Sequence, residues 1–384
     1  MKEKYYIVAK TISRWKIDNS FENWLGYKAD NSEFWKRIYL LYYKIFDFKY
    51  YKGGLKLVQK HIKEQLPNID KRVHGCTQIT EEWLTRDMIY SLHRFGTSFE
   101  DYFILKFYEK NTIGREQFVN LKIQYGYCEL VNGPKTRDIF DDKGECYKHL
   151  KEFYKRDAVS IYEESQKDEL ESFLNKHKSF IYKPYRCHSG HGIEIYRDYR
   201  GNANSFFIEQ NKYGPFVLEE LIIQGEELAA MHRESINTLR LSTFVLKDDV
   251  EVYGACLRMG VGTAVVDNAG SGGIYALVDL ENGILTSIGR NHKNLYFTIH
   301  PDSKIIIPGY QLPHWDQAID LVKKAALAVK DATVISWDLA YSINGWVIVE
   351  GNDVGDPRLI QAPYQVGFKN RLVDLIDRFM SESN

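Results

Sequence analysis

The sequence is poor in cysteine, has no excess of either charge and contains no long apolar run, and each of these absences narrows what the chain can be. Its five cysteines (Cys76, Cys128, Cys146, Cys187 and Cys256) are scattered and never form a C-x-x-C pair, so neither a thiolate zinc site nor a dithiol redox centre is expected. A reducing compartment fits such usage best. Lys plus Arg (51) nearly cancels Asp plus Glu (52), so no global basic field draws the chain to nucleic acid. The opening residues MKEKYYIVAKTISRWKID lack a secretory apolar core, and no stretch reaches ~18 consecutive apolar residues, so we expect a cytoplasmic protein without a membrane span. No Ser-His-Asp or Cys-His signature marks a side-chain nucleophile.

What is present is the mixture of a soluble globular protein, 44% hydrophobic and 27% charged, over 384 residues. That length exceeds what one core usually serves, so two or three subdomains are expected. In the aromatic and lysine-rich first 75 residues, Phe34, Ile38, Leu41, Ile45 and Phe48 recur at helical spacing behind the cap candidate Ser32. Gly53 and Gly54 are expected to stop that helix, and its apolar stripe to pack inward or to serve as a binding platform. Residues 76–175 read as largely helical, with EEWLTRDMIYSLHRF and KGECYKHLKEFYKRDAV the clearest segments. From Phe180 the texture becomes short β-rich runs: FIYKP, GIEIYRD, FVLEELI, LRLSTFVL, VEVYGACLRM and VISWDLAY. Two amphipathic helices, WDQAIDLVKKAALAV and FKNRLVDLIDRFM, complete an α+β second half.

Four places carry chemistry. The first is a strand ending in Lys183 and followed by the loop RCHSGHG, with Ser189, Gly190 and Gly192, where backbone N–H groups and a lysine can meet phosphate oxygens. A ligand-free hairpin loop has the same appearance. The second is PFVLEELIIQGEEL, an apolar strand running into Glu219, Glu220, Glu226 and Glu227; a backbone edge beside an apolar slot suits a purine, and a carboxylate suits ribose hydroxyls. Solvent-facing acids at a strand end are the alternative.

The third place is TVISWDLAYSINGWVIVEGN, two β runs around Asn344-Gly345. Asp338 and Glu350 share a face only if they lie directly cross-strand. We expect a three-residue loop, Ile343-Asn344-Gly345 with Gly345 in the left-handed region, pairing Ser342 with Trp346; a two-residue turn would separate the acids. With Asn352 two residues on, these hard oxygen donors suit Mg²⁺, and a hydrogen-bonded structural acid pair is the alternative. The fourth is INTLRLSTFVL and CLRMGVGTAVVDNAGSGGIY, which offer Arg240, Arg258 and Asn268. An arginine fork suits a transferring phosphoryl group, and a surface ion pair is the alternative.

This order of pieces resembles the ATP-grasp superfamily, and within it the sugar-transfer-associated subgroup, through NTLRLST, LRMG, VDNAGSGG, IHPDS, ISWDLA and VIVEGN. The resemblance runs from about Asp142 to Asn352. It implies an α+β ATP-grasp fold of two subdomains clasping ATP behind a helical, aromatic-rich amino-terminal lobe. The corresponding parts are a lobe at 1–115, a small subdomain at 116–215 and a large one at 216–384. It implies phosphate contacts from Lys143 and Lys183 and an adenine hinge at Glu219, Glu220, Leu221 and Ile222. Ribose would be held by Glu227 or Glu226, magnesium by Asp338, Glu350 and Asn352, and the γ-phosphate by Arg258 and Asn268. Arg186, His188 and His191 depart from the small residues such a loop usually carries. The activity that the resemblance implies joins a carboxylate to an amine or thiol through an acyl-phosphate, using ATP and two Mg²⁺ ions. The partners implied are small molecules, sugar- or amino-acid-derived. A small-molecule kinase and an inactive nucleotide-binding scaffold are the alternatives.

Overall fold

The computed structural model describes residues 21–46, 48–69, 79–185, 192–247, 249–263 and 272–382. The chain divides into two compact units. One gathers residues 1–130, 292–295 and 356–384; the other holds 131–291 and 296–355.

The first unit is helical. Its helix Glu81–Phe95 begins where the Thr80 side chain accepts a hydrogen bond from the Trp83 amide and ends at Gly96 in the left-handed region (φ 73°). Buried ion pairs hold the helices: Asp87 binds Arg115 (2.6 Å) and Tyr102 (2.7 Å), and Asp30 binds Arg94 (2.7 Å). Two expectations fail here. The helix Phe48–Gln65 runs straight through Gly53 and Gly54, and Phe34, Leu41 and Ile45 are exposed (66%, 54% and 64%). Tyr39 and Leu40, one position off that stripe, take the buried face of the helix Glu33–Phe46 instead. Glycine costs a helix interior only about 1 kcal/mol, which packing readily outweighs.

The second unit contains two antiparallel sheets. The smaller comprises β1 (Ala158–Ile161), β2 (Phe180–Pro184), β3 (Glu194–Tyr196) and β4 (Phe216–Glu220), in the order β1-β4-β2-β3. Strand β1 lies within the stretch expected to be largely helical. Strand β4 sits inside this sheet, between β1 and β2. One face of the sheet is apolar: Ile161, Phe180, Tyr182, Phe216 and Leu218 pack on Leu170, Phe173 and Phe206 from the helices Lys167–Lys176 and Ala203–Gln210. Burying each such aromatic ring contributes on the order of 2–3 kcal/mol. Strict alternation then forces Lys183 and Glu219 onto the opposite face.

The larger sheet comprises β5 (Thr238–Val245), β6 (Val250–Met259), β7 (Ile274–Leu277), β8 (Gly289–Arg290), β9 (Tyr296–Phe297), β10 (Val334–Ser342) and β11 (Gly345–Asn352), in the order β11-β10-β5-β6-β7-β8-β9. Leu239, Leu241, Leu257, Ile335, Trp337, Leu339 and Ile348 form its core face against the helix Trp315–Ala328. The residues between them, Arg240, Arg258, Ser336 and Asp338, occupy the other face.

Candidate active site

The site is built on the polar face of β5, β6, β10 and β11. Along one row of the sheet Glu350 lies opposite Asp338, Asp338 opposite Arg240, and Arg240 opposite Cys256. Thr238 and Arg258 occupy the next row, and Asn352, Ser336 and Ser242 the row on the other side. The acids therefore meet cross-strand as expected, by a different device. The turn holds only Ile343 and Asn344, so Ser342 pairs with Gly345 and Tyr341 with Trp346. The register then shifts between Leu339↔Ile348 and Asp338↔Glu350, leaving Val349 as a bulge. Had Val349 taken the place opposite Asp338, Glu350 would lie opposite Trp337 and point into the apolar core. Gly351 has no room for a side chain, since a Cβ there would lie 2.4 Å from the Phe140 ring.

Asp338 is buried among cations. Its carboxylate accepts hydrogen bonds from Arg240 Nε, from Arg240 Nη2 (2.8 Å) and from Arg258 Nη2 (2.8 Å). Burial raises its pKa, but the Arg240 and Arg258 charges outweigh burial and hold it at about 2. Glu350 moves the other way: burial and the adjacent Asp338 charge raise its pKa, only partly offset by Lys183, Arg240 and Arg258. The pair is thus an acid held ionised by its arginines beside one whose charge burial and Asp338 disfavour, a cost that a divalent cation can relieve. The Asn352 amide donates weakly to Ser336 O (3.4 Å), which leaves its oxygen as a third hard donor.

On the small sheet Lys183 Nζ donates to Glu219 Oε1 (2.6 Å), and Arg156 Nη2 donates to Glu219 Oε2 (2.5 Å). Burial raises the Glu219 pKa, but Lys183 and Arg156 bring it down to about 2. Two cations on one anion leave the group net positive, as a phosphate site requires. Lys143 is half-buried at the start of the helix Lys143–Tyr154, which Asp142 caps. Gly144, the next residue, packs against Ser160 and Tyr162.

The other expected residues fall as follows. Glu220, Leu221 and Ile222 leave β4 half-buried, and their segment is stitched to the acid-bearing hairpin through Ile343 N to Ile223 O (3.0 Å) and Gly225 N to Tyr341 O (2.8 Å). The Glu219 side chain is committed to Lys183 and Arg156 rather than open to a ligand. Glu227 is exposed, and the exposed Glu226 pairs with Arg233. Gly192 has φ 74°. Ser189, Gly190 and Asn268 lie outside the described residues. Sequence reading missed Arg156, which sits among ordinary surface-type charges in YKRD. A cleft of about 650 Å³ adjoins this group, lined by Arg156 and Glu220 together with Lys151, Lys155, Asp157, Lys176 and His177. There Lys176 pairs with Asp157, and a ring nitrogen of His177 lies 2.9 Å from the same carboxylate.

The model of the family described as sugar-transfer associated ATP-grasp matches residues 122–377, two thirds of the chain. The chain matches no curated protein. Among solved structures it is similar to the ATP-grasp ligase PsnB complexed with minimal precursor, at 13% identity and TM-score 0.41, with 67% of this chain and 68% of that one covered. It is also similar to D-alanine-D-alanine ligase from Helicobacter pylori (15%, 0.37, 64% and 59%). A third is the ADP complex of purK, N5-carboxyaminoimidazole ribonucleotide synthetase (9%, 0.39, 62% and 52%). The chain thus spans little more than half the length of the last two.

Proposed function

The chain belongs to the sugar-transfer associated ATP-grasp family, and from that premise we propose that it is an ATP- and magnesium-dependent ligase. It joins a carboxylate to an amine or thiol through an acyl-phosphate, in the biosynthesis of a surface polysaccharide or a related glycoconjugate. One observation carries this reading: a cross-strand acid pair, the buried Asp338 and the half-buried Glu350, set in a row with Arg240 and beside Arg258. Apolar packing does not explain two acids there, whereas a hard cation and a polyphosphate do.

The donor set fits magnesium: Asp338, Glu350 and Asn352 would hold it, in our reading as two ions. When bound, it supplies neutralisation of charge on the β- and γ-phosphate oxygens. Arg258 and Arg240 orient the transferring phosphoryl group with planar donors, and Asp338 fixes both guanidiniums in turn. Lys183 and Lys143 supply positive charge from the small subdomain. The backbone of Glu220 to Ile222 offers adenine a hydrogen-bonding edge, with Glu227 or Glu226 for the ribose. Asn268 is assigned to the γ-phosphate and acceptor. We place the small subdomain around the four-stranded sheet and the large one around the seven-stranded sheet.

The test is a mass-spectrometric assay with ATP, Mg²⁺ and a panel of amino acids and uronic sugars. ADP, orthophosphate and an amide or thioester are expected together. A phosphorylated acceptor without released phosphate would replace the ligase by a kinase, and no turnover with retained nucleotide binding would leave a scaffold.

A further inference from the structure

We propose that Arg156 is a positioning residue that sets the acid pair for metal by holding the Val349 bulge, while it preserves the charge of Lys183. This inference rests on the magnesium-nucleotide reading of the site. Arg156 lies just before β1, with its side chain 5% exposed, over the Tyr154 ring at 4.4 Å. All five of its N–H donors have an acceptor. Nε donates to Glu219 Oε2 (3.0 Å), Nη1 to Tyr154 O (3.2 Å) and Ile348 O (2.6 Å), and Nη2 to Glu219 Oε2 (2.5 Å) and Val349 O (3.3 Å).

Two consequences follow from these contacts. Ile348 and Val349 are the residues at which the ladder slips, and a bulge leaves backbone groups without ladder partners. Arg156 satisfies both carbonyls and so stabilises the irregular register that carries Glu350 and Asn352 to the polar face. The same guanidinium neutralises Glu219. Lys183 alone against Glu219 would be a closed pair with no charge left for phosphate; with Arg156 the trio keeps one positive charge. A single side chain therefore joins the lysine of one sheet to the acids of the other. Lysine cannot reproduce it, having three donors on one nitrogen instead of five on a rigid fork.

The experiment is calorimetric binding of ADP to the full-length protein in MgCl2 and again in EDTA, the ratio of the two affinities being the metal gain. Arg156→Lys is expected to lower the metal gain ~10-fold or more, the scale of a lost outer-shell partner, and to leave affinity in EDTA within about threefold. Arg156→Gln is expected to lose EDTA affinity as well, because Glu219 then cancels Lys183. A structural role alone would lower melting temperature and weaken both conditions equally, and an unchanged gain in the Lys variant overturns the proposal. If neither variant melts cooperatively, Glu219→Gln decides: Arg156 keeps its carbonyl contacts there, so a retained gain supports the proposal and a lost gain overturns it. Wild-type protein that binds no ADP in either buffer overturns the magnesium-nucleotide reading, and this inference with it; wild-type binding with unaltered gain in the variants sinks the inference alone.

Discussion

At the scale of single residues, the two acids of the pair answer differently to neutralisation. Asp338 is ionised between two guanidiniums, so Asp338→Asn leaves Arg240 and Arg258 buried without their anion, a loss on the order of 3–5 kcal/mol. ADP release should fall at least ~10²-fold as well, since charge stabilisation is lost, so the variant reads stability and function together. Burial and the Asp338 charge make an ionised Glu350 costly without a metal, so Glu350→Gln removes that cost. Its melting temperature without Mg²⁺ at pH 7 should match or exceed that of the wild type, while the gain in ADP affinity on adding Mg²⁺ disappears. A Gln variant that melts well below wild type would show that Glu350 is a structural anion and not a metal ligand.

At the scale of elements, the hairpin β10–β11 shows what sequence can and cannot disclose. The acids and their pairing were legible, because alternation of Trp337, Leu339, Val347 and Val349 around them marks two buried strands, but the three-residue loop expected at Asn344-Gly345 was not what brings them together. The bulge was not legible, since Val349 is one apolar residue in an apolar run and nothing in its type says that it is unpaired. The same holds for β1, where AVSI follows a strong helical segment, and for Arg156, whose importance lies in contacts with strands distant in sequence. Gly53 and Gly54 misled for the converse reason: local propensity is weak against packing. Gly345 has φ 90°, so Gly345→Ala should cost roughly 1–2 kcal/mol. Its thermal midpoint should drop by a few degrees with the metal gain intact. A lost gain would mean that the turn, rather than the bulge, sets the acids.

At the scale of the molecule, Asp101 in the first unit should respond to acid with the opposite sign from Glu219 and Asp338 in the second. In the second unit Glu219 and Asp338 titrate at about 2, below their unfolded values of 4.5 and 3.8. Their stabilisation is present above those unfolded values and is lost as pH falls toward 2. In the first unit burial pushes Asp101 up to about 6, against the pull of Arg358. A raised carboxyl is most favourable below its unfolded value of 3.8, and that stability is lost as pH rises through 6. Asp101→Asn should therefore stabilise the first unit at pH 8 by up to about 2–3 kcal/mol and by almost nothing at pH 4. Hydrogen exchange followed segment by segment would resolve the two responses; a pH-independent effect of Asp101→Asn would refute the assignment. The first unit is also discontinuous, assembled from 1–130, 292–295 and 356–384, whereas the second is complete by Gly355. During synthesis the ribosome therefore delivers residues 131–355 of the second unit before the helix Lys369–Glu382 emerges to finish the first, so the unit that holds the earlier residues is the later to acquire all its pieces.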